Sequence, residues 1–305
     1  MDGEPVDAPT DATSRIRAYV TLTKPGITAF ILLVAVAGFF AASPYPPPWA
    51  HLGWLLVSGG AASAGAAALN HWYDRDIDAV MKRTRGRPLP TAQIPPSHVV
   101  AFGILLTALG WGLSLVTLGP LVMACIASGT LVYVVVYTIW LKRRTRWNIV
   151  IGGYAGSAPV LAGSAAALGV ITPEAALLAF LVFLWTPLHF WSLAIALKDD
   201  FRSPHLPMLP NPGDLSRSGR TVVLSAALLL PVTLAFLLFR TDFLPFFVGG
   251  LILGVAFLMV TWPLRASTER KVAIRGFVMS GVYLLGIVGA MVLNWAVVRI
   301  PWLRG

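Results

Sequence analysis

Long apolar runs separated by short polar connections dominate this chain from residue 27 to residue 298. An α-helix needs roughly 18–20 apolar residues to cross the hydrocarbon core of a bilayer, and each run approaches or exceeds that length. Helices are the natural assignment, because a spanning helix satisfies its own backbone hydrogen bonds in lipid. The predicted spans cover residues 27–44, 52–70, 98–117, 120–140, 148–168, 174–196, 221–239, 243–262 and 276–298.

The composition agrees with nine membrane spans. Hydrophobic residues make up 57% of the 305 positions and charged residues 12%, about half the share in ordinary soluble proteins. Together with a mean hydropathy of +0.76, this excludes a soluble globular enzyme and a disordered chain. We therefore expect an all-α, multi-pass integral protein of the lipid bilayer. The single cysteine, Cys125, excludes a disulfide framework and a thiolate metal site.

The first 14 residues are polar and carry acidic side chains without any lysine or arginine. They fit neither a secretory signal nor a mitochondrial transit peptide, and we expect them to be a disordered tail. Residues 15–305 then form a single membrane domain. The absence of a transit peptide favours a bacterial plasma membrane.

Basic residues are distributed unevenly between the two sides of the predicted bundle. Twenty lie in the N-terminal segment and the even-numbered connections, and only Arg240, Arg299 and Arg304 lie on the other side. The positive-inside rule then places the N-terminus in the cytoplasm, so the net charge of +10 does not indicate a nucleic-acid partner. Two long, charged connections, 71–97 and 197–220, face the same side, where we expect the active site.

Three oxygen-bearing side chains are spaced four residues apart at the end of the second span. Asn70, Asp74 and Asp78 would share one helix face, with about 6 Å between successive positions, whereas Asp76 would point elsewhere. Two carboxylates and an amide oxygen suit Mg²⁺, which binds one or two carboxylates together with substrate phosphates. The alternative is a solvated helix end whose acids balance nearby arginines.

Two neighbouring features favour a diphosphate site. Arg83, Arg85 and Arg87 follow directly and could hold phosphate oxygens, although they could also orient the loop. The sixth span ends in Asp199 and Asp200 on the same predicted side. Two facing acidic clusters could hold two or more Mg²⁺ ions, which neutralise the charge on a leaving diphosphate.

The chain resembles the UbiA superfamily of intramembrane prenyltransferases from about residue 16 to residue 296. The second acidic motif departs from the D-x-x-x-D pattern of many relatives, because Ser203 and Pro204 follow Asp200. The segments that carry the resemblance are residues 22–25, 70–78, 83–89, 148–153 with Gly156 and Pro159, 185–191, and Asp200 with 207–210.

The finer match is to members that join the farnesyl group of farnesyl diphosphate to the 2-vinyl group of haem b, with addition of water and release of diphosphate. That resemblance implies a Mg²⁺–diphosphate site with catalytic and metal-binding roles for Asn70, Asp74, Asp78 and Asp200. It implies further contacts to the diphosphate from Lys24, Arg83, Arg85 and Arg87, with Asp199 as an additional neighbour.

His189 lies inside the sixth predicted span. An ionisable residue in a span is a functional hypothesis by default, and contact with haem or its iron is the role we expect. The alternative is a neutral histidine bonded across helices. His205, in the following loop, is a second candidate for substrate binding. The basic residues after the fourth span are assigned to anionic lipid or to the haem propionates; they are Lys142, Arg143, Arg144 and Arg146.

Two other functions remain open at this point. A prenyltransferase for an aromatic quinone precursor would carry the same acidic motifs, although His189 and the segment 207–210 favour haem. A membrane transporter would more naturally bury charges near the bilayer midplane, and no predicted span carries a central Asp or Glu. With haem as the acceptor, a downstream haem A synthase is a further expected partner.

Overall fold

The computed structural model describes residues 12–198, 207, 215–239 and 241–300. Within that part of the chain nine helices are long and apolar enough to cross a membrane, and there is no strand. The helices are α1 (Ala12–Leu22), α2 (Pro25–Ala42), α3 (Trp49–Tyr73), α4 (Arg75–Val80), α5 (Pro96–Leu118), α6 (Pro120–Leu131, continued as a π-helix over Val132–Leu141), α7 (Asn148–Gly152), α8 (Tyr154–Leu168), α9 (Pro173–Ala196), α10 (Leu215–Phe239), α11 (Leu244–Thr261) and α12 (Arg270–Arg299).

The nine predicted spans correspond to the nine long helical segments, so the predicted fold class is confirmed. The ends agree within a few residues except for two starts: α10 begins at Leu215 rather than at residue 221, and α12 begins at Arg270 rather than at residue 276. Helix α1 begins at Ala12, so the last three residues of the predicted 14-residue tail are helical. Residues 1–11 lie outside the described part of the chain.

Proline and glycine define several helix ends. Pro25, Pro96, Pro120 and Pro173 each occupy the first turn of a helix, where the missing N–H has no intrahelical acceptor to lose. Gly119 joins α5 directly to α6 with a φ of 94°, a left-handed conformation that residues with a side chain rarely adopt. The chain can therefore reverse direction between these two helices without a loop.

The spanning helices form a closed bundle. Each packs against the next in the chain, and α12 packs back against α2. Helices α2 and α8 approach each other most closely at two glycines. A Cβ on Gly38 would lie 2.1 Å from the Val160 carbonyl oxygen, and a Cβ on Gly163 would lie 2.2 Å from that of Ala35. Such small residues let helix backbones pack closely in a membrane.

The two ends of the bundle are built from different contacts. At one end Trp295 donates to the Ser43 carbonyl oxygen at 3.1 Å, and His51 Nδ1 lies 2.9 Å from that of Ala166. The opposite end brings Lys24, at the start of α2, to Asn70, near the end of α3. We call this second end the polar end. The helices therefore alternate in direction, as expected for nine spans.

Candidate active site

The side chains of Asn70, Asp74 and Asp78 are buried together at the polar end. The backbone N–H of Asp74 donates to Asn70 at 3.0 Å, and that of Asp78 donates to Asp74 at 2.8 Å. Helical spacing therefore continues across Asp74, which separates α3 from α4. The three residues are only 3%, 1% and 4% exposed. The sequence spacing thus predicted the shared face correctly, and the structure shows that this face is buried.

Asp76 points away from this face, as its position on the helix predicted. Its side chain is 61% exposed and accepts two hydrogen bonds of 2.7 Å from Arg143. The bonds from the Arg143 guanidinium lower the pKa of the Asp76 carboxyl. Arg143 also donates to the Tyr73 carbonyl oxygen at 3.1 Å. This pair attaches α4 to the segment after α6 on the outer surface.

Lys24 brings a cation to the amide of Asn70. Its backbone is left-handed, with φ 46° and ψ 62°, a conformation that costs a non-glycine residue on the order of 1 kcal/mol. Its ammonium group donates to Asn70 Oδ1 at 2.5 Å and to the Tyr133 hydroxyl at 3.3 Å. The pKa of Lys24 is lowered to about 7, mainly because the ammonium group is buried and to a smaller extent because Arg87 and Lys142 repel it.

The π-helical end of α6 supplies the next contacts. In a π-helix the backbone hydrogen bonds span five residues instead of four, and such segments occur frequently at functional sites. The Thr138 hydroxyl donates to the Tyr133 carbonyl oxygen at 2.8 Å and accepts from Asn70 Nδ2 at 3.0 Å. Asn70 Nδ2 also donates to Asp74 Oδ2 at 2.8 Å. These bonds use both Nδ2 hydrogens and orient the amide so that Oδ1 faces the Lys24 ammonium.

Each of the two buried carboxylates has a cationic partner. Lys142 donates to Asp74 Oδ2, and Arg87 Nη1 lies 2.6 Å from Asp78 Oδ2. The loop that carries Arg87 is held by Thr84, whose hydroxyl donates to the Asp78 carbonyl oxygen at 3.0 Å. The predicted assignment of Lys142 to lipid or propionates therefore missed its contact with the acidic cluster.

The turn that positions Lys142 is stabilised by another buried amide. Asn148 Nδ2 donates to the carbonyl oxygens of Thr145 at 2.8 Å and of Lys142 at 3.5 Å. Asn148 is 1% exposed and lies at the start of α7. It belongs to a segment that carried the family resemblance, and its contact gives that segment a physical role.

Two buried polar groups of the cluster have no hydrogen-bond partner among the described residues. These are Asp74 Oδ1 and both ring nitrogens of His71, a residue that is 1% exposed and adjacent to Asn70. A buried polar group without a partner is costly, and such groups are often completed by an ion, water or ligand. The cluster therefore has the donors and acceptors of a site that a ligand would complete.

The remaining predicted site residues are placed differently. Arg83 and Arg85 are exposed, whereas Arg87 is partly buried and contacts Asp78. Asp199, Asp200 and His205 lie outside the described residues, and the convergence of the two acidic clusters stays a prediction. Within the described ranges, no three His, Cys, Asp or Glu side chains form a metal-binding group by themselves.

Sequence reasoning missed Tyr133 and Thr138. They are five residues apart, and a normal α-helix would rotate them to different faces. The available signal was a hydroxyl group within the apolar run of the fourth span, but nothing in the sequence indicated π-helical spacing. The rings of Tyr133 and Tyr137 lie nearly parallel, with an angle of 10° and centroids 6.0 Å apart.

The fold and this cluster together define a class of protein. An apolar bundle spans the membrane, and its polar end encloses two carboxylates, an amide oxygen and the cations Lys24, Arg87 and Lys142. Oxygen ligands suit a hard divalent cation, and the cations suit phosphate oxygens. The arrangement is that of a membrane-embedded enzyme acting on a diphosphate ester.

Comparison with known proteins identifies the family. The sequence model of the UbiA prenyltransferase family matches residues 31–282 of this chain. The chain therefore belongs to the UbiA prenyltransferase family. It is 38% identical over 287 residues to the protoheme IX farnesyltransferase of Alkalilimnicola ehrlichii, covering 91% of this chain and 92% of the relative. It is 45% identical over 219 residues to that of Symbiobacterium thermophilum, with coverage of 71% and 72%.

Solved structures show the same fold. A digeranylgeranylglyceryl phosphate synthase superposes with a TM-score of 0.73 at 16% identity, covering 92% of this chain and 99% of the other. A UbiA homologue from Archaeoglobus fulgidus bound to GPP and Mg²⁺ superposes with a TM-score of 0.70 at 16% identity, with coverage of 90% and 99%. The predicted UbiA-type bundle is thereby confirmed.

Proposed function

We propose that this chain transfers the farnesyl group of farnesyl diphosphate to the 2-vinyl group of haem b. Water is added in the reaction, and the products are haem O and diphosphate. The observation that carries the proposal is the buried cluster of Asn70, Asp74 and Asp78 with its cations at the polar end of the bundle. The relatives named protoheme IX farnesyltransferase support the choice of haem as acceptor.

A divalent cation, Mg²⁺, fits the donors of this cluster. Mg²⁺ accepts one or two carboxylates together with phosphate oxygens, and Asp74 Oδ1 is buried without a partner among the described residues. Asn70, Asp74 and Asp78 would hold the metal, with Asp200 from the second acidic motif. When bound, the ion neutralises the charge that develops on the departing diphosphate. The Mg²⁺-bound homologue from Archaeoglobus fulgidus is consistent with this choice.

The cations of the site bind the diphosphate oxygens. Lys24, Arg87 and Lys142 now bond to Asn70 or to the carboxylates, and these donors can turn to phosphate when a metal occupies the acids. Arg83 and Arg85 are exposed on the adjoining loop, where they would attract the diphosphate and, with Asp199, complete its outer contacts.

The apolar bundle protects the reactive step. The bond between the farnesyl C1 and the diphosphate oxygen breaks, and one vinyl carbon of haem attacks the allylic cation that forms. Water then adds to the cation left on the other vinyl carbon and releases a proton. A dry pocket prevents early quenching of this cation by water. The Tyr133 hydroxyl contacts Lys24, and the Tyr133 ring stacks with that of Tyr137; such rings can stabilise positive charge through their π-faces.

The haem acceptor would contact His189, whose ring lies in the membrane span α9. His205, in the following loop, is the second proposed haem contact. By the positive-inside rule the polar end faces the cytoplasm of a bacterium, and the enzyme resides in the plasma membrane. A haem A synthase would then take up the product from the same bilayer.

Two other functions are distinguished by specific features. A prenyltransferase for an aromatic quinone precursor would have the same acidic cluster but no need for His189. A transporter would bury charges near the middle of its spans. The buried acids that the structure describes lie instead where α3 ends and α4 begins.

The purified full-length protein, reconstituted in lipid nanodiscs with farnesyl diphosphate and Mg²⁺, tests the proposal. Haem b and 4-hydroxybenzoate are offered together, and the products are separated and identified by mass spectrometry. We expect haem to gain the mass of farnesyl plus water. Prenylated 4-hydroxybenzoate as the main product would establish the quinone-precursor reaction instead, and no prenylated product would refute both.

A further inference from the structure

His189 is held on three sides. Its ring stacks on Trp185 with centroids 4.5 Å apart and an angle of 22°, and it lies 4.6 Å from the ring of Phe277. Its Nδ1 is 2.6 Å from the hydroxyl oxygen of Ser280 on α12. The ring is therefore fixed in both plane and rotation, although the side chain is only partly buried.

The single hydroxyl hydrogen of Ser280 is already committed. Ser280 Oγ lies 2.5 Å from the carbonyl oxygen of Phe277, which has no hydrogen to contribute, so the serine hydroxyl must donate to it. Oγ can then offer only a lone pair to His189. It follows that Nδ1 of His189 carries the proton and donates to Ser280, and that Nε2 has a free lone pair.

A further bond fixes the position of Ser280. Trp185 Nε1 donates to the Ser280 carbonyl oxygen at 2.8 Å, and Ser280 is fully buried. By contrast, Nε2 of His189 has no hydrogen bond to any described residue. It is also not one of the fully buried polar atoms that lack a partner, so it is not completely enclosed. Histidines that bind metals commonly donate their other ring N–H to a fixed acceptor, and that bond sets the tautomer.

The His189 turn of α9 adjoins the segment that carries the acidic cluster. The next residue, Phe190, packs against Met81, which also contacts Ile77; Met81 and Ile77 lie on either side of Asp78 in the sequence. An aromatic-lined imidazole with a free lone pair thus lies in the helix that covers the end of the diphosphate-binding segment. A flat, apolar metal macrocycle is the ligand class that such surroundings favour.

We propose that Nε2 of His189 binds the iron of the tetrapyrrole substrate, and that Ser280 is the positioning residue that sets the required tautomer. The proposal rests on haem being the acceptor, as proposed above. Ser280 touches neither substrate nor metal, and it acts only through the proton on Nδ1. The iron–imidazole bond would hold the macrocycle, and hence its vinyl group, in one orientation during prenyl transfer.

Ferric haem b is titrated into the full-length protein in nanodiscs without farnesyl diphosphate, and absorption and electron paramagnetic resonance spectra are recorded. We expect a histidine-ligated spectrum that is lost in His189→Gln and in His189→Gly and restored in His189→Gly by free imidazole. Ser280→Ala should weaken haem binding about 10-fold or more, the usual effect of removing a partner of a metal-binding histidine. Ser280→Thr should restore binding.

Ser192→Ala is the matched control. Ser192 is also fully buried, and its hydroxyl bonds to the Leu188 carbonyl oxygen at 2.8 Å in the same helix as His189. We expect this variant to bind haem like the unmodified protein. An equal loss in Ser192→Ala and Ser280→Ala would show a merely structural effect and would overturn the positioning role.

The tautomer of His189 can also be measured directly in the unmodified protein, which tests the proposal even if the variants do not fold. Nitrogen-15 spectra of histidine-labelled protein, without haem, should show Nδ1 protonated and Nε2 unprotonated for His189, assigned by the signal missing in His189→Gln. The reverse tautomer would refute the proposal. Farnesylated haem produced with an unchanged haem spectrum in His189→Gln would refute the iron contact alone. An iron contact without any prenylated haem would instead refute the proposed reaction.

Discussion

Lys24 Nζ lies 2.5 Å from Oδ1 of Asn70, although the two residues are 46 positions apart in the sequence. The contact joins the start of the first span to the end of the second. It places an ammonium group of lowered pKa beside an expected metal ligand. This relationship makes the charge of Lys24 sensitive to the contents of the site.

The affinity for farnesyl diphosphate should depend on pH through Lys24. In the free protein the pKa of Lys24 is about 7, and a bound diphosphate raises it because its negative charge favours the ammonium form. Above pH 7 Lys24 is mostly neutral, so binding of the diphosphate must add a proton to it, and the affinity should fall by up to about tenfold per pH unit. Below pH 7 Lys24 is already charged, and its contribution to the affinity is constant. The KM for farnesyl diphosphate, measured between pH 7 and 9 at saturating Mg²⁺, checks this.

Lys24→Met should bind farnesyl diphosphate weakly and without this pH dependence. Lys82→Met, in which an exposed lysine of the same side is removed, should keep the dependence unchanged. A KM that rises equally with pH in Lys24→Met would exclude Lys24 as the titrating group.

Asp74→Asn should reduce prenyl transfer by about 10²–10³-fold, because it removes negative charge from the expected metal site. Asp76→Asn is the matched control: Asp76 is two residues away, largely exposed and bonded to Arg143. We expect nearly full activity from it. Initial rates of haem farnesylation are measured for both variants. Similar rates would show that Asp74 is not part of the metal site.

Removal of divalent cations should stop turnover reversibly. Chelation leaves the carboxylates paired with Lys142 and Arg87, as in the structure, so the bundle should stay folded while activity is lost. Circular dichroism and product formation are measured before and after Mg²⁺ is restored. Undiminished activity in excess chelator would contradict a metal-dependent reaction.

Thr138→Val should impair the site through the orientation of Asn70. The hydroxyl accepts from Asn70 Nδ2 at 3.0 Å, and losing one such bond costs about 1 kcal/mol, or about fivefold in kcat/KM. Thr130→Val is the control, since the Thr130 hydroxyl donates to the Ile126 carbonyl oxygen at 2.8 Å, within α6. Equal kcat/KM values in both variants would show that the contact of Thr138 with Asn70 has no part in catalysis.

Gly163→Ala should destabilise the bundle, because the new Cβ would lie 2.2 Å from the Ala35 carbonyl oxygen and force α2 and α8 apart. Overpacking of this kind costs roughly 1–3 kcal/mol or more. Gly112→Ala has nothing within 4 Å of its new Cβ and should leave the melting temperature nearly unchanged. Thermal unfolding in detergent compares the two, and identical melting temperatures would refute the close approach.

Much of the architecture could be predicted because membrane insertion depends on local composition. Each span had to be apolar over its own length, so the helices could be located without knowing their neighbours. The four-residue spacing of Asn70, Asp74 and Asp78 likewise predicted a shared face, since a helical repeat is a local property. The outward position of Asp76 follows from the same repeat.

The partners of those side chains could not be predicted in the same way. Lys142 and Thr138 reach Asp74 and Asn70 from 68 residues away, and their position depends on the π-helical end of α6. The bond between His189 and Ser280 similarly depends on how α9 packs against α12. Neither relationship leaves a periodic signal in one sequence.

The sequence by itself determined where the chain enters and leaves the membrane and which face of α3 and α4 carries the acids, because hydropathy and helical repeat act over neighbouring residues. Only the tertiary structure decided which cations meet those acids, how the Asn70 amide is turned and which nitrogen of His189 is free. Those outcomes depend on the packing of distant helices, where tenths of an ångström decide whether a hydrogen bond forms.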